Sequence, residues 1–79
     1  MRHIGVDLHT NQMTICYLED GKYRFETLTV EEIDTFKERL LKTDELAIEA
    51  TGNSSYVYRH CVDLVSKLVV VNTMQFKVI

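Results

Sequence analysis

The dipeptide Asp20-Gly21 constrains the fold of this chain more than any other short feature of its sequence. Two segments rich in Thr, Ile and aromatic residues flank it, Met13 to Leu18 and Lys22 to Leu28. The favoured two-residue hairpin turn needs positive φ at both central positions, which Asp and Gly tolerate. We therefore predict an antiparallel hairpin with these two segments as strands.

A further strand is predicted before the hairpin. From Arg2 to Leu8, Ile4, Val6 and Leu8 alternate with polar or small residues, which is typical of a strand buried on one face. The polar residues 9–11 then form a short turn. The first three strands are therefore expected to form an antiparallel meander.

A helix is predicted to begin at Thr29. Glu32 follows three residues later, which completes the pattern of a capping box. An apolar stripe at helical spacing runs through the segment, and the helix is expected to end near 42–44. The stripe consists of Val30, Ile33, Phe36, Leu40 and Leu41.

The remaining residues predict strand, helix and strand. Residues 46–48 form a short apolar strand that ends at Glu49, and 52–54 form a turn and helix N-cap. A second helix is expected from about Ser55 to Ser66. Residues 68–71 are continuously aliphatic, which is typical of a strand buried on both faces.

The predicted element order is β-β-β-α-β-α-β, an α/β fold with a mixed sheet. Helical crossovers lead into parallel strands, and right-handed crossovers that keep one direction place both helices on the same face. The expected strand order is 3-2-1-4-5, with the opposite face of the sheet uncovered.

Length and composition bound the function. The 79 residues allow one small domain, 1–79, and no apolar run is long enough to span a bilayer, so we expect a cytoplasmic protein. Cys16 and Cys61 are expected to be buried thiols. The net charge of −3, without a basic cluster, argues against DNA binding by this segment alone.

Two acids carry the predicted chemistry. Asp7 ends the first strand and Glu49 ends the fourth, and adjacent parallel strands lie about 4.8 Å apart. Both would face the uncovered side, beside the small residues Gly5 and Ala47, and could share a divalent ion such as Mg²⁺. The competing interpretation is that both are ordinary polar residues at strand ends. The other acids, Asp20, Asp44, Asp63 and the helix glutamates, are expected on turns or outer faces.

Three motifs resemble one family. The segments "IGVDLHTNQMTICYLEDG", "IEATGNSSY" and "LVVVNTMQFK" are similar to transposases of the insertion-sequence 110 family and the related pilin-gene invertases. The Glu-Ala-Thr-Gly motif at 49–52, with Tyr56 after it, is the most specific; Thr73 departs from the family pattern, where a proline is usual.

The resemblance implies a ribonuclease H-like, RuvC-type domain with four acids and Mg²⁺-dependent DNA cleavage and strand transfer. Asp7 matches the first acid and Glu49 the second. The other two belong after Lys77, so we expect the 79 residues to lack them, to be truncated relative to the full fold and to be inactive alone. DNA, and a guide-like RNA, are the partners that the resemblance implies for the full-length protein.

Other candidates and rival functions stay open. Thr51, Gly52 and Tyr56 could lie near nucleic acid, although Gly52 is more simply a turn glycine needed for backbone freedom, and Tyr56 a half-buried helix residue. A metal site of His3, Asp7 and His9 is disfavoured, because His3 is about 13 Å back along the strand.

The runner-up function is an ATPase or sugar-kinase half-domain of the actin-like class. Those folds also begin with a strand, Gly and Asp followed by a hairpin, but His9 stands where a phosphate-cradling glycine is expected. A non-catalytic assembly module is the third reading. An uncovered apolar sheet face would be buried if two copies of the chain paired through it, so we predict a homodimer. The competing outcome is that the tail 74–79 folds back over the same face.

Overall fold

The computed structural model describes residues 1–72, which form five strands and two helices. The strands are β1 (His3–His9), β2 (Gln12–Glu19), β3 (Lys22–Thr29), β4 (Glu45–Glu49) and β5 (Lys67–Val71). The helices are α1 (Ile33–Arg39) and α2 (Ser54–Cys61), with 3-10 turns at Val30–Glu32 and Val62–Leu64. The predicted element order is confirmed. The proposed cover by the tail 74–79, like the positions of Thr73 and Lys77, lies outside the described residues.

All five strands form one mixed sheet in the order β3-β2-β1-β4-β5, as predicted. The strands β1, β2 and β3 pair antiparallel, and β4 lies parallel to both β1 and β5. The Asp20-Gly21 turn has φ of 54° and 77°, the positive values that this hairpin requires. The central strand β1 therefore joins an antiparallel half to a parallel half.

One apolar core lies between the sheet and the two helices. It takes Ile4, Val6 and Leu8 from β1 and Leu46 and Ile48 from β4. The helices contribute Ile33, Phe36, Val57 and Cys61, so both cover the same sheet face. The prediction that both helices lie on one face of the sheet is confirmed for the described residues.

The opposite sheet face is open among residues 1–72. Its aromatic residues on β3, Tyr23 and Phe25, are 67% and 69% exposed. Cys16 and Leu18 of β2 also face this side and are half-buried. Val69 of β5 pairs with Ala47 on the same face and is 40% exposed.

Both predicted helices end earlier in the structure than in the sequence prediction. The helix α1 ends at Arg39 and not near 42–44, because Leu40 is extended and the Leu41 N–H donates to the Asp44 carboxylate. Leu41 is consequently exposed and lies outside the apolar stripe. The helix α2 ends at Cys61, and a 3-10 turn replaces its last predicted turn.

The prediction that the strand at 68–71 is buried on both faces was wrong. This strand is the edge of the described sheet, and Val70 is 44% exposed on the helix-covered side. A continuous aliphatic run thus occurs here on a strand with one neighbour among the described residues. No helix in residues 1–72 is long and apolar enough to cross a membrane.

Candidate active site

Asp7 and Glu49 line the same open depression. Glu49 is the last residue of β4, as predicted, whereas β1 continues for two residues beyond Asp7, which the sequence placed at its end. In the parallel pairing of these strands Val6 lies beside Ile48, so the two acids occupy the next step along each strand. Since Val6 and Ile48 face the core, the acids face the open side of the sheet. The structure therefore brings together the two residues that the sequence singles out.

The depression has a volume of about 350 Å³ and a mainly apolar lining, in which Asp7 and Glu49 are the charged groups. Its floor includes Gly5 and Ala47, which pair with each other across the strands and leave the space above them open. A Cβ atom added at Gly5 would have no neighbour within 4 Å. The rest of the lining comes from β2, β3 and β5 and includes Thr14, Cys16, Phe25 and Val71. A hydrated cation and part of a larger ligand fit a space of this size.

The two carboxylate oxygens of Asp7 have different surroundings. Oδ2 lies 2.9 Å from His9 Nε2, which can donate a hydrogen bond to it. Oδ1 is buried and has no hydrogen-bond partner among the described residues. A buried polar oxygen without a partner is costly, and a bound cation would satisfy it.

The histidines do not gather around Asp7. His3 Nδ1 lies 3.4 Å from Glu45 Oε1 at the opposite end of β1, so only His9 contacts Asp7. Residues 1–72 contain no group of three or more His, Cys, Asp or Glu side chains that could hold a metal ion. Any cation here would therefore rely on Asp7, Glu49 and water.

The candidate nucleic-acid residues follow β4. Thr51 and Gly52 are exposed in the turn before α2. Gly52 does not have positive φ, and a Cβ there would meet nothing within 4 Å. The requirement for a glycine's backbone freedom at this position was therefore wrong; its proximity to nucleic acid stays a prediction.

Tyr56 is half-buried and packs against the core. Its ring lies 4.5 Å from that of His60, at an interplanar angle of 49°. This is the half-buried helix position that the sequence favours, and the ring already has a neighbour on one side. A role for Tyr56 in stacking on a base stays a prediction.

Sequence reasoning missed a buried ion pair at the other end of the sheet. Asp44, expected on a turn or outer face, has a side chain with 0% exposure. It accepts hydrogen bonds from Arg2 Nε at 3.0 Å and Arg2 Nη2 at 2.8 Å. The register could have revealed this contact, because His3 pairs with Glu45 and the preceding residues of both strands are Arg2 and Asp44.

A second polar cluster lies on the helix side of β2 and β3. Glu26 accepts a hydrogen bond from Tyr17 at 2.8 Å and a bidentate pair from Arg39, with Nε at 2.7 Å and Nη2 at 2.6 Å. The Arg39 hydrogen bond is the main cause that lowers the pKa of Glu26. Burial, and then the hydrogen bond to Glu26, raise the pKa of Tyr17. Tyr17 therefore stays a neutral donor, and the cluster holds α1 against the sheet.

Known proteins similar to this chain do not identify its family. The sequence matches no known protein-family profile and no curated protein. Among solved structures, a similarity is found to the PPX-GPPA enzyme of Aquifex aeolicus, at 16% identity and a TM-score of 0.37. It covers 89% of this chain and 36% of that one. A similarity at this level assigns neither a fold family nor an activity.

Proposed function

We propose that this chain is the N-terminal part of a ribonuclease H-like, RuvC-type nuclease domain of a DNA transposase or site-specific recombinase. The observation that carries the proposal is the pairing of Asp7 and Glu49 in one open depression. The three motifs that resemble the insertion-sequence 110 family supply the assignment to transposases. The strand order 3-2-1-4-5 is compatible with that fold.

Mg²⁺ is the cation that fits these donors. Carboxylate oxygens are its preferred protein ligands, and Asp7 Oδ1 is a buried oxygen that lacks a partner in the described residues. Asp7 and Glu49 would hold the ion. When bound, Mg²⁺ would activate the attacking oxygen and stabilise the leaving oxygen of a phosphodiester. His9, whose Nε2 lies 2.9 Å from Asp7 Oδ2, would help to orient Asp7.

A cation-binding titration tests the site directly. We expect Mn²⁺, followed by its electron paramagnetic resonance signal, to bind the 79-residue chain weakly, because two carboxylates leave the ion mostly on its own waters. Asp7→Ala should abolish this binding, and Asp63→Asn, which removes an exposed acid outside the depression, should not. Equal binding by the wild type and Asp7→Ala would remove the proposed site.

DNA and a guide-like RNA are proposed as partners of a longer protein. The 79 residues carry a net charge of −3, so the charge needed to hold a phosphate backbone must come largely from elsewhere. We expect the 79-residue chain to show no cleavage of branched DNA. Mg²⁺-dependent cleavage by it, lost in Asp7→Ala, would show that two acids suffice.

The actin-like ATPase reading is tested by nucleotide binding. His9 is 67% exposed at the end of β1, where a phosphate-cradling turn would need a small residue. We therefore expect no saturable ATP binding in the presence of Mg²⁺. Saturable binding that is lost in Asp7→Ala would favour the ATPase class over the nuclease.

A further inference from the structure

The turn between β1 and β2 has a strained backbone. His9 pairs with Gln12, which leaves Thr10 and Asn11 as the two turn residues. Thr10 has a φ of 49°, in the left-handed region that β-branched residues avoid. The other hairpin of the sheet places Asp20 and Gly21, which tolerate positive φ, at its turn. A strained residue persists only where surrounding contacts hold it.

Two hydrogen bonds hold this turn in place. Asn53 Nδ2 donates to the Thr10 carbonyl at 2.7 Å, and the Val30 N–H donates to the Asn11 carbonyl at 2.9 Å. Asn53 occupies the N-cap position of α2, where an asparagine side chain commonly accepts a hydrogen bond from its own helix. It makes no such bond and instead contacts a residue 43 positions away.

The Asn53 contact lies next to the two acids. Thr10 follows Asp7 by three residues and Asn53 follows Glu49 by four, so the bond connects the segments that leave the two acid-bearing strands. The pairing between β1 and β4 ends at Val6 and Ile48, one step before the acids. The hydrogen bond from Asn53 to Thr10 therefore connects the two segments beyond the last residue pair of β1 and β4.

We propose that Asn53 is a positioning residue, which fixes the separation of the Asp7 and Glu49 carboxylates by tying the β1–β2 turn to the turn before α2. The expected effect of Asn53 on cation binding rests on the proposed function. Its expected effect on the positions of the two carboxylates does not depend on that function. Residues that orient metal ligands without contacting the metal typically contribute 10- to 100-fold to affinity.

The test compares Asn53→Ser with Ser55→Ala. Serine keeps the preference for a helix N-cap but shortens the side chain and removes the amide donor. Ser55 is exposed in the first turn of the same helix and serves as the matched control. Asn53→Ala is the second variant, and circular dichroism checks that each variant is folded.

Two measurements are made on each variant. Without metal, the carboxyl ¹³C resonances of Asp7 and Glu49 should both move in the Asn53 variants, and amide exchange at residues 10–12 should rise about fivefold, the loss of roughly 1 kcal/mol of hydrogen bonding. With Mn²⁺, the dissociation constant should rise about tenfold. Ser55→Ala should match the wild type in both measurements.

The outcomes separate this proposal from the proposed function. Unchanged carboxyl resonances and unchanged exchange in folded Asn53→Ser overturn the positioning role, whatever the Mn²⁺ result. Shifted resonances with no Mn²⁺ binding by the wild type support the positioning role and count against the cation site. Mn²⁺ affinity equal to that of the wild type, despite a loosened turn, also overturns the proposal.

Discussion

Replacing Asp44 should be among the most destabilising single changes in the described part of this chain. The carboxylate is fully buried and accepts three hydrogen bonds, two from Arg2 and one from the Leu41 N–H at 2.7 Å. Breaking a buried ion pair by removing one partner costs about 3–5 kcal/mol, because the other charge stays buried. The Arg2 side chain is only 13% exposed and would retain its bond to the Arg39 carbonyl.

The isosteric change Asp44→Asn gives a measurable version of this effect. Asn keeps the shape and one acceptor but loses the charge, so we expect a loss of roughly 2–3 kcal/mol, within the range for hydrogen bonds to charged groups. A domain of this size has a total stability of about 4–12 kcal/mol. Asp44→Ala, at the full cost of about 3–5 kcal/mol, should remove a large part of this stability and would unfold the chain only if the wild type lies at the low end of that range.

Urea denaturation followed by circular dichroism measures the loss. With a slope of about 1–1.5 kcal/mol/M, the midpoint of Asp44→Asn should fall by about 2 M. The control is Asp63→Asn, the same chemical change at an exposed position, which should stay within about 0.5 kcal/mol of the wild type. A double-mutant cycle with Arg2→Met should show a coupling of about 2 kcal/mol. If Asp44→Asn matches Asp63→Asn, the pair does not stabilise the fold.

Three further predictions concern titration, thiol access and assembly. The pKa of Glu26 is lowered in the folded state, so ionised Glu26 stabilises the fold above its ordinary pKa of 4.5, and this contribution is lost as the pH falls through the lowered pKa. The free energy of unfolding should therefore depend less on pH in Glu26→Gln than in the wild type, and parallel curves for the two proteins would refute this. Burial raises the pKa of the Cys61 thiol to about 11, whereas Cys16 is half-buried on the open face. A maleimide at pH 8 should therefore modify Cys16 well before Cys61, and equal rates of modification would contradict the structure. Sedimentation at micromolar concentration should show a dimer through the open face that Phe25→Lys disrupts, and a monomeric wild type would remove the dimer hypothesis.

Local chemistry made much of the sheet predictable. The Asp20-Gly21 turn fixes the register of its hairpin through two residues that accept positive φ, and the structure has both. The alternation in β1 shows which residues face the core, and this alone places Asp7 on the other side. The capping box at Thr29 is also present, with the Thr29 N–H donating to Glu32 at 2.8 Å. Each of these features depends on residues close together in sequence.

The missed features depend on contacts that are distant in sequence. The early end of α1 follows from Asp44, whose carboxylate takes the Leu41 N–H while it binds Arg2, 42 positions away. The aliphatic run of β5 does not reveal how many neighbours the strand has, and the structure makes it an edge. The role of Asn53 was equally hidden, because its sequence position is that of an ordinary helix cap.

From the central position of β1 we expect the chain to fold in a fast and a slow part. The meander of β1, β2 and β3 closes through two-residue turns, and hairpins of this kind form in about 1–10 μs. The parallel half must first bring β4 back to β1 across a loop of about forty residues, whose closure entropy is lost before any contact compensates for it. Arg2 and Asp44 are the residues immediately before the first pair of that parallel ladder. Their ion pair thus stands at the point where the late half of the sheet joins the early half.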